Sequence, residues 1–394
     1  MRLAKSFSRL GTETAFEVLA RARALEAQGR KIVHLEIGEP DFDTPANIRE
    51  AAKKAIDAGH THYGPSAGLP DTRKAIAEYV SKTRGVSYAA EETVIVPGGK
   101  PIIFFTILAL VEPGDEVIYP NPGFPIYESM INYVGGKPVP LPIREELEWD
   151  FDAAEFEKLL TPKTKLVILN SPANPTGGVM TKETMDRVAK ALAKFPDAML
   201  LADEIYSRIV YEGKHLSLLA YPGMKERAIL LDGFSKTWAM TGWRLGYGVG
   251  PKWLIDAIAK LSTNDHSCVP AFSQYAAIEA LTGPQDSVTA MVAEFKRRRD
   301  VIVKGLNALP GVTCKTPKAA FYVFPSIKGT GLKSKALSDA LLAEAGVACL
   351  PGTSFGAMGE GYLRFSYANS VANIETALAS MKAALPKLSA VAAK

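Results

Sequence analysis

The chain has 394 residues, of which 47% are hydrophobic and 22% are charged, so it is long enough to bury a sizeable core. Its 46 Lys and Arg residues against 42 Asp and Glu residues give a formal charge of +4, and the densest basic run, residues 296–299, is too short for a nucleic-acid-binding arm. These figures exclude a collagen, a disordered tail protein and a disulfide-stapled miniprotein, and they favour two domains.

The cysteines and the apolar runs indicate a protein of the reducing cytoplasm. Cys268, Cys314 and Cys349 are far apart and form no CxxC pair, which argues against a disulfide framework and a structural zinc site. The first ten residues lack the apolar stretch of a signal peptide. The longest apolar run, residues 102–111, has about half the length of a membrane span. We therefore expect a cytoplasmic protein with no membrane or nucleic-acid partner.

A helix over residues 14–28 is the first predicted element, and strands then alternate with helices through the middle of the chain. Strands are predicted at 93–97, 116–119, 165–169, 198–203, 228–232 and 245–250. Helices between them are predicted at 99–111, 123–134, 182–194 and 251–262. The strands are continuously apolar, as strands covered on both faces are. The pattern predicts an α/β fold with a mostly parallel central sheet covered by helices.

After residue 284 the pattern changes to that of a smaller α+β domain. A long helix is predicted at 285–309. Strand-like segments follow at 321–324, 347–350 and 363–367. A helix is predicted at 334–345, and a last helix runs from the end of the third segment to about residue 385. We expect a large α/β domain at 45–284 and a small α+β domain formed by 1–44 and 285–394.

Polar residues stand where three of the predicted strands end. Asp203 closes one strand, and Asn174 and Lys236 follow the strands before and after it in the chain. Because the carboxyl ends of parallel strands form the ligand crevice of such sheets, a carboxylate, an amide and a lysine should converge there.

This combination predicts a site for pyridoxal 5'-phosphate (PLP). A desolvated lysine can form a Schiff base with a carbonyl, and a carboxylate can keep a pyridine nitrogen protonated so that the ring accepts electrons. The start of the helix at 99–111 and the guanidinium of Arg244 would suit a phosphate. Signatures of other cofactors are missing, because Pro101 follows Gly-Gly-Lys where a Walker loop needs Ser or Thr, and no metal-binding motif is present.

Several motifs together resemble the class I and II aminotransferases, which are fold-type I PLP enzymes of the aspartate aminotransferase superfamily. The motifs run in the family's order over essentially the whole chain: Gly-Glu-Pro-Asp-Phe at 38–42, Tyr-Gly-Pro-Ser-Ala-Gly at 63–68, Pro-Gly-Asp-Glu at 113–116, Asn-Pro-Thr-Gly at 174–177, Asp-Glu-Ile-Tyr at 203–206, Ser-Lys-Thr-Trp-Ala-Met-Thr-Gly-Trp-Arg-Leu-Gly at 235–246, and Arg364. The likeness is to the bacterial subgroup that includes aspartate, aromatic and prephenate aminotransferases.

The resemblance implies a role for each residue around the cofactor ring. Lys236 would be the Schiff-base lysine and would carry the transferred proton. Asp203 would pair with the pyridinium nitrogen, and Tyr206 and Asn174 would hydrogen-bond the ring oxygen. Phe124 would stack on the ring.

The resemblance also implies a phosphate site and a substrate site. Gly99, Lys100, Ser235 and Arg244 would surround the phosphate, joined by Tyr63 from the partner subunit of a homodimer. A second set would bind the substrate: Arg364 the α-carboxylate in a bidentate pair, with Gly38 and Asn174 close to it.

Specificity for the substrate side chain stays open. Lys100 would meet a distal carboxylate, whereas Glu17 would neutralise Lys100 or repel an acidic substrate, and Phe16 would suit an apolar or aromatic one.

The leading hypothesis is a PLP-dependent aminotransferase that moves an amino group between an L-amino acid, whether aspartate, aromatic or other, and a 2-oxo acid, with 2-oxoglutarate expected, by ping-pong kinetics. A PLP-dependent C–S β-lyase is the alternative, because one fold serves both reactions. A third hypothesis, the sensor domain of a transcription factor, is disfavoured because the family pattern begins almost at the first residue and leaves no room for a DNA-binding domain ahead of it.

Overall fold

Twelve strands and twelve α-helices, with short 3-10 turns between them, form the regular structure of residues 2–392, the part of the chain that the computed structural model describes. The strands are β1 (Val33–His34), β2 (Thr93–Val96), β3 (Glu116–Asn121), β4 (Lys137–Pro142), β5 (Thr164–Asn170), β6 (Met199–Asp203), β7 (Ala228–Gly233), β8 (Gly246–Val249), β9 (Tyr322–Val323), β10 (Val347–Ala348), β11 (Leu350–Pro351) and β12 (Leu363–Ser366).

The helices alternate with these strands in the first two thirds of the chain and dominate the last third. They are α1 (Ala15–Glu26), α2 (Ala46–Asp57), α3 (Pro70–Arg84), α4 (Lys100–Leu110), α5 (Ile126–Val134), α6 (Ala153–Leu159), α7 (Lys182–Leu192), α8 (Lys252–Asp265), α9 (Ala271–Thr282), α10 (Asp286–Asn307), α11 (Ser334–Ala340), which continues as a π-helical turn (Leu341–Ala345), and α12 (Val371–Ala392).

A seven-stranded sheet with the order β2-β8-β7-β6-β5-β3-β4 forms the centre of the fold. Its pairs from β7 through β4 are all parallel, and β8 is antiparallel to both of its neighbours. The mostly parallel sheet predicted from the sequence is therefore confirmed.

Helices cover both faces of this sheet, which explains why its strands read as continuous apolar runs. Successive side chains of a strand point to opposite faces. Leu200 accordingly packs with residues of α2, α3, α7 and α9, while Leu201 packs with residues of α4, α5 and α8. Both leucines are fully buried.

The predicted elements agree with the observed ones to within about three residues at most boundaries, and α12 extends beyond its expected end near residue 385. The strand-like segment at 347–350 is split into β10 and β11. β4 and helices α2, α3, α6 and α9 lie in segments for which no element is predicted. β4 carries three prolines, which are tolerated because it is the edge strand of the sheet.

The last third of the chain forms small sheets covered by α10 and α12. β9, β12 and β11 make an antiparallel sheet, and β10 pairs with β1 from the N-terminal region. α1 packs beside them through Val18 and Ala22. The segment before α1 lies instead on α5, where Arg9 donates to the carbonyl oxygens of Asn132 and Tyr133 at 2.8 and 2.9 Å.

Between residues 2 and 392 we find no helix that combines the length and the apolar character needed to cross a membrane.

A buried arginine ties together the carboxyl ends of β6 and β7. Arg84, at the end of α3, lies 2.9 Å from Glu204 Oε2 through Nε and 2.7 Å from Asp232 Oδ2 through Nη2, and its side chain is only 1% exposed. His215 and Ser217 also hydrogen-bond Glu204. Burial would raise the pKa of Glu204, but His215 and Arg84 hold that pKa at about 2. Glu204 is therefore a buried carboxylate with its charge compensated.

We expect Arg84→Met to lower the free energy of unfolding by about 3–5 kcal/mol, because the change leaves the buried Asp232 without its cation and Glu204 with His215 alone. Urea denaturation followed by tryptophan fluorescence measures the loss. Lys74→Met is the matched control, since Lys74 is an exposed helix residue 4.0 Å from Glu78, and this change should leave the midpoint in place. Equal midpoints for the two variants would contradict a stabilising role for Arg84.

Candidate active site

A cavity of about 480 Å³ opens at the carboxyl ends of β5, β6 and β7. It brings together every site residue predicted from the sequence except Tyr63: Gly38, Gly99, Lys100, Phe124, Asn174, Asp203, Tyr206, Ser235, Lys236, Arg244 and Arg364. These residues come from both ends of the chain and from its middle, so only the tertiary fold assembles them.

Lys236 extends into the cavity from the loop that follows β7. Its Nζ donates a hydrogen bond of 2.6 Å to the carbonyl oxygen of Gly38. Burial lowers the pKa of the Lys236 ammonium to about 8, and the Arg364 and Arg244 cations act in the same direction, while the Glu39 carboxylate acts against them. About a tenth of this amine is therefore neutral at pH 7, far more than for an ordinary lysine, and the neutral form is what a nucleophile or a proton acceptor must be.

Asp203 ends β6 as a buried carboxyl group. Its Oδ2 accepts a 2.6 Å hydrogen bond from the hydroxyl of Tyr127 on α5, and its Oδ1 accepts one from the backbone N–H of Ile205. Burial raises the pKa of Asp203 to about 6, although both hydrogen bonds oppose the shift. The two donors are uncharged, so a cation facing Asp203 would stabilise the carboxylate strongly.

The loop after β5 is held against Asp203 by side-chain amides. Asn170 donates from Nδ2 to the carbonyl oxygen of Asp203 at 2.9 Å, and its Oδ1 accepts from the backbone N–H of Asn174 at 2.9 Å. The Oδ1 of Asn174 in turn accepts a 3.1 Å hydrogen bond from Arg364 Nη1. The amide of Asn174 thus links the sheet to the arginine of β12.

Arg364 lies between aromatic rings with part of its guanidinium unpaired. Its Cζ is 4.5 Å from the ring centroid of Tyr322 and 4.9 Å from that of Phe355, and Nη2 donates to the carbonyl oxygen of Glu36. The Nε is buried and has no hydrogen-bond partner among the described residues. A buried donor without a partner is costly, so this group is suited to an incoming carboxylate.

Two tyrosine hydroxyls meet beside Lys236. Tyr206 and Tyr322 are 2.8 Å apart at their Oη atoms, and burial raises the pKa of Tyr206 well above its ordinary value. Tyr206 therefore remains a hydroxyl donor. Gly38 is required next to them, because a Cβ at that position would overlap the Tyr322 hydroxyl.

The N-terminus of α4 and Arg244 lie at one end of the cavity. Gly98 has a φ of +86°, and a Cβ at Gly98 would collide with the guanidinium of Arg244. Arg244 is fixed by a 2.8 Å hydrogen bond from Nη1 to the carbonyl oxygen of Thr241. With Gly99 and Ser235 on the same wall, backbone N–H groups and a cation face one place, which suits a phosphate.

Lys100 is paired with Glu13 rather than with the predicted Glu17. The Nζ of Lys100 is 2.5 Å from Glu13 Oε1 and 5.7 Å from the ring centroid of Phe124. Glu17 lies one helical turn further along, is exposed and does not line the cavity, so the hypothesis that it neutralises Lys100 was wrong. Phe16 does line the cavity, as expected.

Tyr63 is the one predicted site residue outside the cavity. Its side chain is 91% exposed in the single chain. It therefore contributes nothing to the site of its own chain.

Four of the cavity residues that were not predicted make notable polar contacts or pairs: Glu13, Tyr127, Asn170 and Tyr322. Tyr127 follows Phe124 by three residues in a segment predicted to be helical, a spacing that could have placed both on one face. Asn170 directly follows the strand predicted at 165–169, so its position after an apolar run carried a signal similar to that of Asp203. Nothing local in the sequence distinguishes Glu13 or Tyr322 from surface and core residues.

The unsatisfied groups of the cavity fit PLP and an amino acid. Asp203 lacks a cation and would face a protonated pyridine nitrogen, and Arg364 has a free donor for a carboxylate. Among the residues that the structure describes, Lys236 Nζ is hydrogen-bonded only to a carbonyl oxygen, which leaves it able to meet a carbonyl carbon. A phosphate would lie between the start of α4 and Arg244.

Comparison with known proteins identifies the family. The sequence model of the family described as aminotransferase class I and II matches residues 30–381. The chain is 42% identical to the aspartate aminotransferase of Pyrococcus abyssi and 41% identical to aromatic-amino-acid aminotransferase 2 of Thermococcus litoralis, in each case over 91% of this chain and 93% of the relative. The crystal structure of the aspartate aminotransferase from Rhizobium meliloti superposes with a TM-score of 0.93 at 36% identity, covering 98% of this chain and 99% of that one.

These matches confirm the predicted fold type and the predicted cofactor, and they favour transamination over the lyase alternative. The family match spans far more than half of the chain, and the relatives are covered almost completely. The chain therefore belongs to the class I and II aminotransferases, PLP-dependent transaminases of fold type I.

Proposed function

We propose that this chain transfers an amino group between an L-amino acid and a 2-oxo acid, with PLP held covalently by Lys236. The observation that carries the proposal is the placement of a low-pKa lysine, a buried carboxyl group and an incompletely paired arginine around one cavity. An amine, a negative charge and a carboxylate clamp are the three groups that this reaction requires.

The cofactor ring would be held by four side chains. Asp203 would accept a hydrogen bond from the protonated ring nitrogen, with Tyr127 keeping its carboxylate oriented. Tyr206 and Asn174 would donate to the ring oxygen, and Phe124 would pack against the ring. The Asn174 amide is able to do this because its own oxygen already accepts from Arg364, which leaves Nδ2 free to donate.

The phosphate would be bound by the backbone at Gly99 and Lys100, the hydroxyl of Ser235 and the guanidinium of Arg244. Both the helix N-terminus and the arginine carry positive charge, so they complement the phosphate dianion. This end of the site fixes the cofactor without touching the reacting atoms.

Lys236 would catalyse the reaction by transferring a proton from and to the substrate. Bound PLP supplies a carbonyl for the amino group and a ring that stabilises negative charge at Cα. Lys236, released as a neutral amine with its pKa near 8, would accept the Cα proton and return it on the cofactor side. The same steps in reverse with a second 2-oxo acid give ping-pong kinetics.

Arg364 would bind the substrate α-carboxylate and so orient the Cα–H bond toward Lys236. Its guanidinium is fixed by Asn174, by the carbonyl of Glu36 and by the rings of Tyr322 and Phe355. A preorganised bidentate clamp loses little freedom on binding. Gly38 lies beside it, where a side chain would obstruct the carboxylate.

The substrate pair is an L-amino acid and a 2-oxo acid, with 2-oxoglutarate proposed as acceptor. Relatives carry the names aspartate aminotransferase and aromatic-amino-acid aminotransferase, which supports this class of substrate without choosing within it. The names of these relatives also count against the C–S β-lyase alternative.

We also propose that the enzyme is a cytoplasmic homodimer. The exposed Tyr63 would contact the phosphate of the cofactor bound in the partner subunit. We retain the division into a large domain at 45–284 and a small domain formed by 1–44 and 285–394.

We expect each productive amino acid, added alone to the PLP-loaded protein, to bleach the absorbance band of the lysine-bound cofactor and to release one 2-oxo acid per site. Lys236→Ala should show no such band, because Lys100, the other lysine that lines the cavity, is paired with Glu13. Lys214→Ala, which changes an exposed loop lysine, should behave like the parent. Repeated turnover of cystathionine to pyruvate and ammonia without an acceptor would instead support the lyase.

Capture of PLP by the apoprotein should accelerate about tenfold between pH 7 and pH 9 and then level off. Only the neutral amine reacts, and a lysine with a pKa of about 8 becomes largely neutral over this interval. Stopped-flow absorbance measures the rate. A rate that continues to climb tenfold per pH unit beyond pH 9 would show that Lys236 titrates like an ordinary exposed lysine.

Mixing the inactive variants Tyr63→Ala and Lys236→Ala should restore activity if Tyr63 acts across the dimer. Random exchange of subunits makes half of the dimers hybrids, each with one intact site, so about a quarter of the parent activity should return. The activity is measured after refolding the mixture. No recovery, in a mixture shown by mass spectrometry to contain hybrids, would mean that Tyr63 does not serve the partner's site.

A further inference from the structure

An ion pair forms part of the cavity wall next to the substrate position. Glu13 Oε1 and Lys100 Nζ are 2.5 Å apart, with 17% of the Glu13 side chain and 44% of the Lys100 side chain exposed. Both residues line the cavity that contains Lys236 and Arg364. The pair comes from two distant segments of the chain, so tertiary packing brings it together.

The segment that carries Glu13 is fixed on both sides. Gly11 donates its backbone N–H to Ser129 Oγ at 2.9 Å, and Thr14 donates its hydroxyl to Ser354 Oγ at 2.6 Å. Glu13 stands between these two anchors, immediately before α1. Its carboxylate is therefore held at the cavity wall.

The cations of the cavity leave only Lys100 for a second carboxylate of the substrate. Within residues 2–392, the lysines and arginines that line the cavity are Lys100, Lys236, Arg244 and Arg364. In the proposed reaction, Lys236 moves the proton, Arg244 binds the phosphate and Arg364 binds the α-carboxylate. Lys100 is left, and its charge is already balanced by Glu13.

The surroundings of the pair are apolar. Phe16 is 61% exposed at the cavity although its ring is hydrophobic, and Ala15 and Ile37 line the same cavity. Lys100 also lies over the ring of Phe124. An apolar or aromatic substrate side chain would cover this exposed surface and gain the hydrophobic free energy of its burial.

We propose that Glu13 is a specificity-determining residue, which holds Lys100 and so disfavours substrates with a distal carboxylate relative to substrates with an uncharged apolar or aromatic side chain. This inference rests on the proposed function. A dicarboxylate, whether aspartate or the proposed acceptor 2-oxoglutarate, must either displace Glu13 from Lys100 or bind beside a like charge. The pair therefore lowers the affinity for a dicarboxylate without excluding it. A phenylalanine side chain leaves the ion pair intact.

The charge of Glu13 is also felt deeper in the site. Burial lowers the pKa of Lys236 and of Arg364, and the Glu13 carboxylate acts in the opposite direction on both groups. A negative charge with that reach would repel a second carboxylate in the cavity. The preference therefore has an electrostatic origin in addition to the hydrophobic one.

Glu13→Gln tests the proposal because it removes the charge and keeps the shape. We expect the ratio of kcat/KM for aspartate to kcat/KM for phenylalanine to rise about tenfold or more in single-turnover half-reactions, with the phenylalanine value changed less than about twofold. Glu17→Gln is the matched control, since Glu17 lies on the next turn of the same segment outside the cavity. It should leave the ratio unchanged.

Binding of unreactive acids gives a second measurement. Succinate should bind the Glu13→Gln holoenzyme about tenfold more tightly than the parent, while 3-phenylpropionate should bind both equally. Adding Lys100→Gln to Glu13→Gln should abolish the gain for succinate, because the freed cation is then absent. An unchanged aspartate-to-phenylalanine ratio and unchanged succinate binding would overturn the role of Glu13.

The outcome separates this inference from the proposed function. If the parent holoenzyme reacts with no amino acid, the proposed function itself fails. If the parent transaminates but Glu13→Gln changes neither the substrate ratio nor succinate binding, only the role of Glu13 fails.

Discussion

The side chains of Asp203 and Glu204, two adjacent carboxylates at the end of β6, point in opposite directions, and the positions of the other site residues depend on this. Successive residues of a strand point to opposite faces, so Asp203 faces the cavity and Tyr127, whereas Glu204 faces Arg84. Neither acid could be buried without these partners. Arg84 also holds Asp232 of β7, four residues before Lys236. The ion pairs of Arg84 with Glu204 and Asp232 therefore stabilise the ends of β6 and β7, which position Asp203 and Lys236 at the cavity.

Much of the site follows from sequence because strand topology is a strong geometric constraint. Three apolar runs, each followed by a polar residue, are enough to bring Asp203, Asn174 and Lys236 to one edge of a parallel sheet. Arg364 and Gly38 could be assigned only through the family resemblance. Their distance in the chain from the central strands means that no local pattern connects them with Lys236.

What the sequence could not provide are contacts that depend on tertiary packing. β4 contains three prolines, so its sequence does not show the pattern of a strand, although an edge strand can accommodate prolines. Tyr322 is recognisable only once its hydroxyl is seen 2.8 Å from Tyr206. The sequence suggests Glu17 as the partner of Lys100. In the structure α1 begins at Ala15, and Glu13, which precedes the helix, pairs with Lys100 in the cavity instead. Where a helix begins decides which of the two glutamates faces inward.

The charges of the cavity explain how one fold can serve substrates with different side chains. In the proposed reaction, Arg364, Arg244 and Asp203 would complement groups that every substrate or the cofactor presents, so they would be needed whatever the substrate is. The pair of Glu13 and Lys100 is neutral as a unit, so replacing both residues with uncharged ones leaves the net charge of the cavity unchanged. Selectivity for the side chain is therefore separable from the chemistry. Under this proposal, membership of the family fixes the reaction, while residues such as Glu13 would decide which substrate side chain is accepted.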